Sequence, residues 1–225
     1  MRKVTLPEPR PDKPARSTPE RLTDAVEELL DQRDDLDLSL REITTAAGAN
    51  VAAVNYHFGS KDALVNAVIE RALTEHARQQ LVALRAVEAG ADGGVEEVVR
   101  AWLSPSVLAA DDRRTTLIPR IAARVVSGGS PELRDLGTAT HTEVYSLFFT
   151  LLAERLPALT TEELTFRITL ASVAVSSMIV GTFDRTPIAG NPPVPRDEHT
   201  LDRAVRFIVA ALSAAPTAPA AERRR

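Results

Sequence analysis

The chain has 225 residues, which allows one large domain or two small ones. Hydrophobic residues at 44 % and charged residues at 26 % exclude global disorder, and zero cysteines excludes disulfides, thiol nucleophiles and thiolate metal sites. The balance of 27 basic against 31 acidic side chains leaves −4, which gives no overall attraction to nucleic acid or to a membrane surface.

The opening stretch MRKVTLPEPRPDKPARS lacks the apolar core of a secretory signal, so the expected location is the cytoplasm, with nucleoid association. Pro7, Pro9, Pro11 and Pro14 forbid a regular helix, and residues 1–16 are expected to form a flexible arm. From Ser17 onward the helical period dominates. Ser17-Thr18-Pro19-Glu20 is a capping box, followed by Leu22, Val26, Leu29 and Leu30 on a single stripe. A second capping box, Ser39 with Glu42, opens a short helix that turns Leu40, Ile43 and Ala47 inward. Gly48 supplies the left-handed residue that ends it. Asn50 caps a third short helix running to about Tyr56. Ser60 caps a fourth, with Leu64, Val68, Ala72, Glu75 and Gln79 at successive helical steps, reaching to about Val87.

Further helices are expected near 95–110, 113–127, 131–156, 161–185 and 198–213, punctuated by Gly128-Gly129, Pro131 and the box at Thr160 and Glu163. Residues 214–225 read as a disordered tail. The apolar run Ile168–Phe183 is 16 residues long and carries three serines and two threonines. A bilayer span needs about 20 largely apolar residues, so this is a buried helix and no membrane partner is expected. The fold class is therefore all-α: a small three-helix unit over 17–63, a linking helix over about 60–87, and a larger helical body over 64–213.

The segment SLREITTAAGANVAAVNYHFGSKDAL, Ser39 to Leu64, carries the chemistry. Two short helices joined by a tight glycine turn, the second starting at a polar cap, form a helix-turn-helix. A helix fits the B-DNA major groove, and the second helix shows Val51, Ala52, Asn55, Tyr56 and His57 on its open face. Asparagine pairs bidentately with adenine, and small apolar groups suit thymine methyls.

Over about residues 18–73 the sequence resembles the TetR family of bacterial transcription regulators. From Ala53 to Leu64, glycine, aromatic, lysine and leucine residues recur at that family's offsets. The resemblance implies a homodimer on a palindromic operator in double-stranded DNA, released when a small molecule enters the C-terminal domain. Carried over by position, Val51, Ala52, Ala53, Asn55, Tyr56 and His57 fall where the family touches bases and phosphates. Lys61 falls on its recurrent phosphate contact, and Thr44, Thr45 and Asn50 flank them. Val51 stands where many members have a polar or basic residue, and Asn55 where many have tyrosine, so readout here leans on Asn55 and thymine contacts. Residues 1–60 hold eight basic and eleven acidic side chains. Only Arg41, Lys61 and the cations of the arm are placed for phosphates, so the expected salt dependence is modest.

The resemblance also puts a ligand pocket on the helices carrying Trp102, Leu103, Leu117, Ile121, Val125, Tyr145, Phe148 and Phe149. Arg120 and Arg124, one turn apart, would meet a carboxylate or phosphate. The expected effector is apolar and acyl-like, possessing an anionic end. For the dimer face, one stripe carries Leu164, Ile168, Ala171, Val175 and Ile179, and another carries Leu201, Val205, Ile208 and Leu212. Paired with their twins they would make a four-helix bundle; otherwise both stripes pack on the body of their own chain. His76, His141 and His199 have no ligand spacing, and no nucleophile elbow, phosphate loop or zinc-protease motif occurs, so neither metal, cofactor nor enzymatic activity is expected. A helical scaffold with a vestigial helix-turn-helix, or a ligand-independent regulator or activator, stays open as an alternative.

Overall fold

The computed structural model describes residues 16–32, 37–90, 93–108, 131–180 and 194–216. All regular secondary structure among them is helical. Residues 1–15 of the expected arm, the helix expected at 113–127, residues 181–185 and the tail from 217 lie outside the described residues.

Helices α1 (Thr18–Asp31), α2 (Leu40–Ala47) and α3 (Val51–Phe58) form the small unit. Both expected capping boxes are present: Ser17 and Ser39 accept from the Glu20 and Glu42 amides, and each glutamate accepts the serine's own backbone N–H. Gly48 has φ 57°, ψ 40° and closes α2 with its N–H on the Thr44 and Thr45 carbonyls. α3 runs two residues further than the expected end at Tyr56, because Gly59, at φ 80°, takes the turn that a side chain would strain. Leu22, Val26, Leu30, Leu38, Ile43 and Val54 meet the start of the next helix in one buried cluster.

That next helix, α4 (Lys61–Ala89), is 29 residues long, about 43 Å at 1.5 Å per residue. Its first turns bury Leu64, Val65, Val68 and Ile69 in the small unit. Its later turns bury Ala77 and Leu84 in the large body. The expected stripe drifts after Ala72. The buried residues there are Leu73, His76, Ala77, Gln80 and Leu84, while Glu75 and Gln79 are only half-buried. The body completes the fold with α5 (Val95–Val107), α6 (Pro131–Arg155), α7 (Thr161–Val180) and α8 (Glu198–Ser213). α4 packs on α5 and α6, α5 packs on α8, and α7 lies beside α6 and α8.

Polar anchors hold the body together. Arg167 is 9 % exposed, pairs with Glu163, and donates to the carbonyls of Leu212 at 2.7 Å and Ala214 at 2.6 Å. It thereby covers the carbonyl end of α8, where a cation is electrostatically favoured. Arg100 on α5 reaches Asp202 on α8 at 2.7 Å. Arg71 on α4 pairs with buried Glu27 on α1 within the small unit, and from the body Leu136 on α6 packs against the small core.

The two stripes expected at a dimer face are mostly consumed inside the chain. Leu164, Ala171, Val175, Leu201, Val205, Ile208 and Leu212 are all at most 7 % exposed and belong to the body's own core. Ile168 and Ile179 also pack on that core. The densest apolar stripe of a helix goes first to its own chain, where it buries the most surface.

Ile43 is fully buried and central to the small unit. Ile43→Ala is expected to cost about 2–5 kcal/mol, read as a lower urea midpoint. An unchanged midpoint would contradict that packing.

Candidate nucleic-acid interface and ligand cavity

Helix α3 has one face committed to packing and the other bare. Val54 is fully buried, and Ala53 and Phe58 pack against the small core. Val51 is 45 % exposed, Tyr56 is 85 % exposed, and Ala52, Asn55 and His57 are exposed beside them. The Tyr56 and His57 rings meet edge to face, their centroids 4.9 Å apart. Five of the six α3 residues expected to read DNA thus lie on the open side, and Ala53 lies at its margin.

The flanking residues divide differently. Asn50 caps α3, its Oδ1 accepting from the Ala53 amide at 2.9 Å, which leaves its amide N–H groups for other partners. Thr45 is exposed. Thr44, expected beside DNA, is 8 % exposed and donates its hydroxyl to the Leu40 and Arg41 carbonyls, so it is a packing residue. Lys61 lies at the start of α4 with Nζ 3.3 Å from Asp62 and 3.8 Å from Asp37. Any phosphate it meets competes with those two carboxylates.

A cavity of about 490 Å³ lies between α4, α5, α6 and α7. Trp102 and Tyr145, expected in the pocket, line it. Leu103 and Phe148 do not: each is 1 % exposed and held in the core, with Phe148 stacked on Trp102 at 4.7 Å between centroids. Phe149 packs against the same core. Leu117, Arg120, Ile121, Arg124 and Val125 lie outside the described residues. Ile168, Val175 and Ile179, expected at a dimer face, line the cavity instead.

The wall carries a polar chain that sequence spacing does not reveal. His76 on α4 stands with Nδ1 3.4 Å from His141 Nε2 on α6 and Nε2 2.9 Å from Ser106 Oγ on α5. His141 Nδ1 lies 3.2 Å from the Gly137 carbonyl. A carbonyl only accepts, so His141 carries its proton on Nδ1 and accepts at Nε2. His76 then donates from Nδ1 and accepts the Ser106 hydroxyl at Nε2. Both rings serve as neutral tautomers. Burial holds His76 down to about 3, aided by the neighbouring His141, and burial also lowers His141. Beside them Gln80, 3 % exposed, donates Nε2 to the Trp102 carbonyl at 2.8 Å. Its Oε1 has no partner among the described residues. The missed signal was polar residues at core positions of α4: Leu73, His76 and Gln80 continue the stripe of Ile69.

No group of three or more potential metal-binding side chains occurs among the described residues, and no helix there is long and apolar enough to cross a membrane.

A helix-turn-helix with its second helix bared, carried on a long helix into a separate helical body, defines a DNA-binding transcriptional regulator. Residues 22–68 match the family model for bacterial regulatory proteins of the TetR family, and residues 100–211 match the tetracycline repressor-like C-terminal domain. The chain belongs to the TetR family. It is 31 % identical over 116 residues to the HTH-type transcriptional regulator BetI of Brucella anthropi, a match covering 46 % of this chain and 60 % of that protein. BetI of Brucella melitensis is also 31 % identical, over 118 residues. The chain thus spans about three fifths of the length of the curated relatives it matches. Among solved structures, a transcriptional regulator from Rhodococcus sp. Rha1 superposes with a TM-score of 0.57 at 24 % identity, covering 89 % of this chain and all of that one. The TetR family regulator PfmR from Thermus thermophilus gives 0.50 at 18 % identity, covering 90 % of this chain and all of that one. These structures share the fold.

The histidine pair sets a pH dependence. Between about pH 3 and the ordinary value of 6.5 the unfolded chain binds a proton that folded His76 refuses. Stability therefore rises with pH through this window and falls on acidification, by about 2 kcal/mol at pH 5 from His76 alone. Urea unfolding from pH 7.5 to 5 should show that loss, and a shallower one in His76→Gln. Equal slopes would count against a neutral buried His76.

Proposed function

We propose that the chain is a homodimeric repressor that binds a palindromic operator through α3 and is released by a small, largely apolar effector in the cavity. The observation that carries the DNA reading is the division of α3 between buried Val54 and the open Val51, Ala52, Asn55, Tyr56 and His57. Such a face presents one bidentate amide, two ring-bearing side chains and small apolar groups to base edges. Asn50, Thr45 and Lys61 sit at its ends for the backbone. The site of action is the cytoplasm.

Dimerisation is supported by what the body leaves uncovered. Phe166, Leu170 and Val173 lie at i, i+4 and i+7 on the outer side of α7 and are 59 %, 54 % and 43 % exposed. On α8, Phe207 is 65 % exposed beside a shallow groove shared with Ala174 and Met178 of α7. A bare apolar strip on α7 with Phe207 on the adjacent helix suits self-pairing about a two-fold axis. On α7 this pairing face lies about half a turn from the stripe that sequence periodicity favours, which is buried.

Release is supported by the wiring of the cavity. α4 and α6 both line it, and both enter the small unit, α4 through its first turns and α6 through Leu136. An effector that prefers a different spacing of these two helices changes the separation of the paired α3 helices. Full switching from 1:99 to 99:1 needs about 5.5 kcal/mol of preference.

Selection from a random duplex pool with the purified chain, at two salt concentrations, tests the DNA reading. The expected product is a palindrome with half-sites about 34–36 Å apart, centre to centre. Asn55→Ala should cost about 1–3 kcal/mol on that site, and Lys61→Ala should weaken all sequences alike and lower the salt slope by about one. Failure to enrich any sequence at low salt would overturn the reading. For the dimer, Phe166→Asp with Phe207→Asp should give a monomer of unchanged helicity in sedimentation at micromolar concentration. A persisting dimer would place the interface elsewhere.

A further inference from the structure

We infer that the mouth of the cavity is closed by the second copy of the chain, whose apolar strip completes the wall, so that the site is whole only in the dimer. The inference rests on the dimer reading above and goes beyond it, because the partner becomes part of the ligand site.

The exposed members of the lining mark where the cavity opens. Among its described residues these are Thr138 and Tyr145 on α6 and Thr169 and Val173 on α7, while the rest are buried or half-buried. At about 100° per residue, Ile168, Ser172, Val175 and Ile179 share an arc of about 60° that faces inward. Thr169 and Val173 continue that arc outward, about 90° and 130° from its centre, and Phe166 and Leu170 come next round the helix. Val173 belongs both to the lining and to the bare strip. Wall, rim and strip are thus one continuous surface of α7, and whatever seats on the strip lies against the rim. Val175 also lines both the cavity and the groove beside Phe207, so between these two spaces the wall is one helix thick.

Charge identifies the occupant. From Ile168 to Val180 α7 carries no charged residue. Two-fold pairing sets a face against itself, so a charge near the axis meets its like. An uncharged apolar strip pairs with its twin without that penalty, and it offers a strongly charged partner nothing to pair with. A second copy therefore suits this face.

Closure also has an energetic consequence. An apolar ligand in the open cavity keeps part of its surface against water at the rim. The partner's strip removes that contact, so ligand and dimer stabilise each other, and by linkage each tightens the other by the same factor.

Trp102, the chain's one tryptophan, lines the cavity and is 6 % exposed, so acrylamide entering by the mouth quenches it. The chain has no cysteine. Ser176→Cys therefore places a single thiol on the wall, and Val82→Cys a single control thiol on the exposed side of α4. Both readouts are compared between the full chain and its Phe166→Asp/Phe207→Asp form, with sedimentation and circular dichroism recording assembly and folding. Leu170→Asp takes the place of the double variant if that one does not fold. The full chain is expected to be a dimer and the variant a monomer. In the monomer, acrylamide should quench Trp102 about threefold more strongly and a thiosulfonate should modify Ser176→Cys about tenfold faster, with Val82→Cys modified equally in both. Quenching and Ser176→Cys modification that are equal in dimer and monomer leave the dimer reading standing and overturn the inference. A full chain that sediments as a monomer overturns the dimer reading and the inference with it. A variant that stays dimeric moves the pairing face off the strip and overturns the inference, though not dimerisation.

Discussion

Helix α4 belongs to two hydrophobic cores at once, and the rest of the molecule is arranged around that fact. Leu64, Val65, Val68 and Ile69 are pinned beneath α1, α2 and α3, while Ala77 and Leu84 are pinned in the body. A helix fixed at both ends cannot shift against one core without transmitting the shift to the other, because packed interiors are stiff and switch between arrangements more readily than they deform. Leu73 at the edge of the small core, His76 after it and Gln80 between Ala77 and Leu84 all line the cavity. The cavity wall on α4 thus sits where the helix passes from one core to the other.

Helix α6 repeats this arrangement on a smaller scale. Leu136 packs on the small core, and Gly137, Thr138 and His141 of the next turns line the cavity. His76 and His141 form the contact between the two helices at this level. A hydrogen bond between neutral rings is weaker than an ion pair and less costly to rearrange, since no charge is stranded when it breaks. On the proposed release mechanism this is the joint that a ligand has to alter. By contrast, the Arg167 anchor at the end of α8 ties down a region that has no reason to move.

Local rules made much of this legible. The serine capping boxes, the left-handed Gly48 and the alternation of Val54 with Asn55 are short-range signals, and they define α1, α2 and α3 to within a residue or two. What sequence did not disclose depends on contacts between distant segments. His76 and His141 are separated by 65 positions, so no spacing rule connects them. Thr44 looked available to DNA because its position suits a flank, but its hydroxyl finds two carbonyls in its own helix. The stripes on α7 and α8 were visible. Their allocation was not, because periodicity says that a helix has an apolar side and is silent on whose core receives it.

That allocation bears on how so acidic a chain holds DNA. Residues 16–60 offer Arg16, Arg21, Arg33 and Arg41 as their cations, and Arg16 is already paired with Asp24. Lys61 leans on two carboxylates. With few free cations among its described residues, the helix-turn-helix itself gains little from the phosphate backbone and relies on base edges, where its open face is small. One half-site of this kind binds weakly. Two held in register on one rigid body bind with the advantage of effective concentration, which multiplies affinity without any new contact and vanishes once the spacing is wrong. Weak half-sites therefore make DNA binding depend steeply on the dimer geometry. In the proposed dimer that geometry would be set by the exposed apolar residues of α7 and by Phe207 of α8, next to the cavity wall that α7 shares with α4 and α6, so on that proposal a ligand too small to reach the DNA controls the one quantity to which the affinity is most sensitive.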